Sequence, residues 1–118
     1  MIRMRVKNFG PVGPGLIEND GWIEFKPVTV FIGNQGAGKS TLAKLFSTFC
    51  WIEKALVRGD YPKKWFERKG RFKNMFLSYH RLENYQDLDK RGKTVIEYEG
   101  EAWAIRYISN QLSITALP

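Results

Sequence analysis

A chain of 118 residues has room for one small domain and a modest core. Its 14% aromatic content argues against disorder along the whole length, and one cysteine excludes an internal disulfide or a cysteine-rich metal site. Nineteen Lys and Arg against twelve Asp and Glu give a formal charge of +7, which favours anionic partners without choosing among nucleotide, nucleic acid and acidic protein.

Ile2, Met4 and Val6 alternate with Arg3, Arg5 and Lys7, the period of a half-buried strand. No long apolar run follows Met1, and no stretch approaches the ~20 apolar residues that span a bilayer. A cytoplasmic protein with no membrane partner is therefore expected. Gly10, Pro11, Gly13, Pro14 and Gly15 predict a loop, and Leu16 and Ile17 a second extended stretch. Asn19-Asp20-Gly21 is a turn by its chemistry, with Trp22, Ile23 and Phe25 extended beyond it. Together these predict a meander of short antiparallel strands. Val28-Thr29-Val30-Phe31-Ile32, almost wholly apolar and β-branched or aromatic, suits a strand buried on both faces.

That strand runs into Gly33-Asn34-Gln35-Gly36-Ala37-Gly38-Lys39-Ser40-Thr41, which satisfies the Gly-x4-Gly-Lys-Ser spacing of a phosphate-binding loop. Glycines at 33, 36 and 38 let the backbone approach phosphate oxygens with no Cβ in the way. Successive N–H groups form an anion nest, and the helix that follows adds the positive end of its dipole. Lys39 is expected at the β and γ phosphates of ATP, Ser40 on Mg²⁺, and Thr41 at the α or β phosphate.

After the loop, Leu42, Leu45, Phe46, Phe49, Ile52 and Leu56 recur every three or four residues and predict a helix from about Lys39 to Val57, stopped by Gly59. Cys50 falls in this pattern as a small buried hydrophobe. From Arg58 to Lys73 a basic stretch holds Lys63, Lys64, Arg68, Lys69 and Arg71 with Trp65, Phe66 and Phe72 interleaved. Basic and aromatic residues together suit DNA or RNA, although an ordinary solvated face reads the same way. Phe72, Met75, Phe76, Tyr79 and Leu82 mark a second helix ending before Asp87. His80 has no partners for catalysis or metal binding and reads as a surface or packing residue. Thr94 to Tyr98 and Ala102 to Tyr107 flank Glu99-Gly100-Glu101 as a hairpin, and Leu112 to Ala116 extends it. Trp22, Trp103 and Tyr107 are expected to be packing aromatics on strands.

Residues 33–42 resemble the loop of ABC-type ATPases, which commonly read Gly-Pro-Asn-Gly-Ser-Gly-Lys-Ser-Thr-Leu; Asn34, Gln35 and Ala37 depart from it. The approach through Lys7-Asn8-Phe9-Gly10-Pro11 is similar to the amino-terminal lobe of the SMC-like branch, including its AAA-type ATPases. The likeness covers residues 1–57. It implies an α/β fold, an antiparallel meander with a buried P-loop strand and helix, in a partial nucleotide-binding domain. Its parts are 1–32 (strands), 33–57 (loop and helix), 58–90 (basic helical segment) and 91–118 (hairpin region). It also implies ATP-driven dimerisation, and places Asn8 and Phe9 near the nucleotide; by their own chemistry Phe9 reads as a core aromatic and Asn8 as a turn former. No catalytic residue is assigned. None of Asp20, Asp60, Asp87 and Asp89 ends a run of four apolar residues as a Walker B carboxylate would, and neither a Leu-Ser-Gly-Gly signature nor a switch histidine is evident. The expectation is that these residues form half of an ATPase site, completed by further chain or by a homodimer, with negligible hydrolysis alone. The alternatives are a nucleic-acid-binding module with a regulatory nucleotide site, and a small-molecule kinase. The antiparallel meander ahead of the loop weakens the kinase reading.

Overall fold

Alternation of apolar and polar residues decides which way each strand faces. The computed structural model describes residues 2–9, 22–25, 37–82, 84–85, 94–108 and 111–118. Among them are five strands, β1 (Ile2–Lys7), β2 (Trp22–Phe25), β3 (Val95–Glu99), β4 (Trp103–Ile108) and β5 (Gln111–Ala116), all antiparallel, in the order β2-β1-β3-β4-β5. Pairing of Val6 with Ile96, Ile96 with Tyr107 and Tyr107 with Leu112 carries one apolar row across the sheet. A second row joins Met4, Tyr98, Ile105 and Ile114, and every one of these side chains is buried.

The opposite face is a charge ladder. Arg3 faces Glu99, Arg5 faces Glu97, and Glu97 faces Arg106. The Arg3 Nε donates to Glu99 at 2.8 Å, Arg5 donates to Glu97, and Arg106 lies 3.3 Å from the second Glu97 oxygen. Trp22 belongs to this face, with the Arg3 and Arg5 guanidinium carbons 4.1 and 4.6 Å from its ring. It therefore packs against cations and not in the apolar core, because its register partner is Arg5 and not Met4.

Helix α1 (Ala37–Arg58) lies on the apolar face. It begins two residues before and ends one residue after the sequence expectation, a difference of fraying and capping. Its end is a Schellman motif: Gly59, at φ +77, donates to Leu56 O and Asp60 donates to Ala55 O. Leu45, Phe49 and Ile52 are fully buried, and Phe49 stacks on Tyr98 with centroids 5.4 Å apart. Cys50 is half-buried, its Sγ 3.8 Å from the Tyr98 hydroxyl. It is less enclosed than a wholly core position, and burial raises its thiol pKa.

The basic stretch and second helix resolve differently from one helical segment over 58–90. The short helix α2 (Lys63–Glu67) follows Pro62, an extended N-cap whose carbonyl accepts from the Trp65 N–H at 3.0 Å. Then α3 (Phe72–Leu77) is a π-helical turn, in which Ser78 N–H reaches back to Lys73 O. Helix continues only to Tyr79. Arg81, at φ +61, takes the place glycine usually fills, Leu82 N–H donates to Leu77 O at 2.7 Å, and Leu82 is buried. Phe72 joins this segment to the sheet, 4.7 Å from Tyr107 and stacked on Phe49 at 5.6 Å.

Two carboxylates tie helices to strands. Glu53, 8% exposed, accepts from the Tyr98 hydroxyl at 2.9 Å and from the Ala102 and Trp103 amides at 2.9 and 3.0 Å. A Cβ at Gly100 would overlap that carboxylate, so the β3–β4 hairpin needs glycine there for the close approach. Glu67 accepts from the Ile114 amide at 2.8 Å, while Lys63 donates to the Ile114 carbonyl at 3.5 Å. One turn of α2 thus satisfies both outward-facing backbone groups of Ile114 on the edge strand β5. The edge is thus met at Ile114 from within the chain.

Glu53→Ala leaves a buried hydroxyl and two amides without their acceptor. The expected loss is about 2–4 kcal/mol in urea denaturation, at ~1–3 kcal/mol per stranded buried group, partly relieved by water. A loss below about 1 kcal/mol would show that the clamp is dispensable. Burial also pushes the Tyr107 hydroxyl up to about 12 from 10.0 and raises Tyr98 further, there with help from Glu53. Both are neutral acids favoured by the fold, so their contribution is complete below pH 10 and falls as pH rises through the folded values. Stability measured against pH should decline above about pH 10, and Tyr107→Phe should flatten that decline.

Candidate functional site

Helix α1 opens with the sequence Ala37-Gly38-Lys39-Ser40, so these four residues occupy its first turn. Gly33, Asn34, Gln35 and Gly36, and the strand expected at Val28–Ile32, lie outside the described residues. No acidic residue stands in the first turn of α1. Its unsatisfied N–H groups and dipole are therefore not neutralised by a carboxylate of that turn, a donor set that suits an anion. Thr41 is 2% exposed.

The end of β1 answers the question of Asn8 and Phe9. Asn8 takes φ +54, a conformation asparagine tolerates, and the Thr94 hydroxyl donates to its carbonyl. Phe9 is fully buried and meets Tyr85 edge to face at 5.6 Å. The turn-former and core readings account for both residues.

The basic residues stand in different surroundings. Lys63 is drawn to Ile114 O, and the Arg71 guanidinium carbon lies 4.0 Å from the Trp65 ring. Lys64, Arg68 and Lys69 are exposed and, among the described residues, hold no ion pair. Tyr61 stacks on Trp65 with centroids 4.3 Å apart and is itself 38% exposed. Alongside, α1 and α3 enclose an open groove of about 590 Å³, lined by Ser47, Thr48, Trp51, Met75, Phe76, Tyr79 and His80. Burial and the nearby Lys44 lower the His80 pKa. Trp51 is 51% exposed and Tyr79 82%.

Sequence reasoning missed this groove and the anchoring roles of Glu53 and Glu67. The spacing of Lys63 and Glu67, four residues apart, was the one local sign that both face the same strand. Among the described residues, no cluster of His, Cys, Asp and Glu could hold a metal ion, and no helix is long and apolar enough to cross a membrane. No protein-family model, curated protein or solved structure matches the chain.

If Phe9 is a core residue, Phe9→Ala should cost about 3–5 kcal/mol in denaturant unfolding. A cost below about 1 kcal/mol would return Phe9 to the list of residues kept for something other than packing.

Proposed function

We propose that the chain binds ATP with magnesium through Gly33–Thr41, as the amino-terminal lobe of an ABC/SMC-like ATPase. The observation that carries this reading is the Gly-x4-Gly-Lys-Ser spacing whose Gly-Lys-Ser end is the first turn of a 22-residue helix. Backbone amides of the loop and of that turn would hold phosphate oxygens, with Lys39 adding a point charge at the β and γ phosphates and Ser40 a hydroxyl ligand to Mg²⁺. Bound Mg²⁺ would screen the phosphate charge. A catalytic carboxylate and a signature segment would come from outside these residues.

The antiparallel β1–β2 pair ahead of the loop also supports this reading over a small-molecule kinase, whose loop strand usually comes first. Titration with a fluorescent ATP analogue should give saturable, magnesium-dependent binding. Lys39→Ala should weaken it about tenfold or more, since a charge-assisted hydrogen bond contributes ~1.5–3 kcal/mol. Equal affinity in the variant would contradict the proposal.

A further inference from the structure

Charge is distributed unequally between the two layers. On the outer sheet face the glutamates at 97 and 99 are matched by Arg3, Arg5 and Arg106. On the helical layer the acids between Thr41 and Leu82 are Glu53, Asp60 and Glu67, and both glutamates are occupied by backbone amides. Asp60 alone is left against the exposed cations Lys54, Arg58, Lys64, Arg68 and Lys69. The outer side of this layer is therefore strongly positive.

It is also the side on which aromatic rings reach solvent. Tyr79 and Trp51 stand at the groove, and Tyr61 lies 6.4 Å beyond Trp51, stacked on Trp65 under Arg71. Exposed rings in such number do not serve the core, which is closed beneath them by Phe49, Phe66 and Phe72. An acidic protein would be attracted by the cations alone, while an anionic membrane, whose interface also takes up Trp and Tyr rings, is the competing occupant that the test includes. A single polynucleotide strand uses both, its phosphates along the lysines and its unpaired bases on the rings. A duplex, with its bases stacked inside, cannot use the rings.

We propose that the surface running from Tyr79 through Trp51 to Tyr61, backed by Trp65 and bordered by Lys64, Arg68 and Lys69, binds single-stranded nucleic acid. The site is independent of the phosphate loop, and so is its test.

The experiment is fluorescence anisotropy of the full chain with labelled oligothymidylate and oligouridylate of about 20 bases, longer than the ~4–16 nucleotides such a surface covers. A matched duplex, anionic phospholipid vesicles and polyglutamate are the competitors. At least one single strand should bind roughly tenfold more tightly than the duplex. Tyr61→Ala with Tyr79→Ala should weaken strand binding about tenfold and leave duplex binding unchanged. Lys64→Glu with Arg68→Glu and Lys69→Glu should reduce the salt slope by about two, at ~0.7 per phosphate contact on a single strand. Tyr79 is 82% exposed, so Tyr79→Ala alone carries the aromatic test if the Tyr61 substitution disturbs the circular dichroism spectrum. Equal binding of strand and duplex, an unchanged affinity in the aromatic variants, or displacement by vesicles or polyglutamate as effective as by free strand would each overturn the proposal.

Discussion

The Glu53 carboxylate holds the two layers in one register. Its acceptors meet a hydroxyl in the middle of β3 and two amides at the start of β4, all from a residue in the third quarter of α1. Helix packing by apolar contact tolerates sliding, since neighbouring rotamers and grooves differ little in energy. A buried acceptor with three directional donors does not, because each half-made bond strands a polar group. Once α1 is fixed along its length, so is the position of its first turn, Ala37 to Ser40, relative to β1 and β3. The Gly-Lys-Ser end of the proposed phosphate loop, in the first turn of α1, and the hairpin clamp thus belong to one helix.

A second consequence is electrostatic. Glu53 and Glu67 stand in the helical layer, but both are turned toward strand backbone. Their charges remain, but between Thr41 and Leu82 ten Lys and Arg outnumber three acids. The sheet, by contrast, neutralises itself through the Arg3, Arg5 and Arg106 ladder, with Trp22 lying against two of those guanidinium groups. A chain of net charge +7 thereby concentrates its excess on the helical side.

Strand directions, the Gly59 stop and the Gly100 hairpin were legible because each depends on residues close together in sequence. Period-two alternation in Ile2 to Lys7 says which side chains share a face, and glycine in a short loop says where the chain turns. The roles of Glu53 and Glu67 were not legible, because their partners lie about 45 to 50 residues away, and the spacing of Lys63 and Glu67 says only that those two share a helix face. Trp22 packs on its strand as expected, but only the register with Arg5 shows that its partners are the guanidinium groups of the outer face. The π-turn at Phe72 to Leu77 was hidden as well, since its apolar spacing also suits an ordinary helix. Of the candidate site, the glycines, Lys39 and Ser40 were legible as a motif, whereas the aromatic groove arises only when α1 and α3 meet.

Nucleotide binding at the start of α1 is most directly tested by amide hydrogen exchange at Gly36 to Thr41, with and without magnesium ATP. Donation of these N–H groups to phosphate oxygens predicts slower exchange with ATP and no change with adenosine, which shares the base and sugar but brings no phosphate. Equal exchange rates at these amides under saturating ATP would contradict the account.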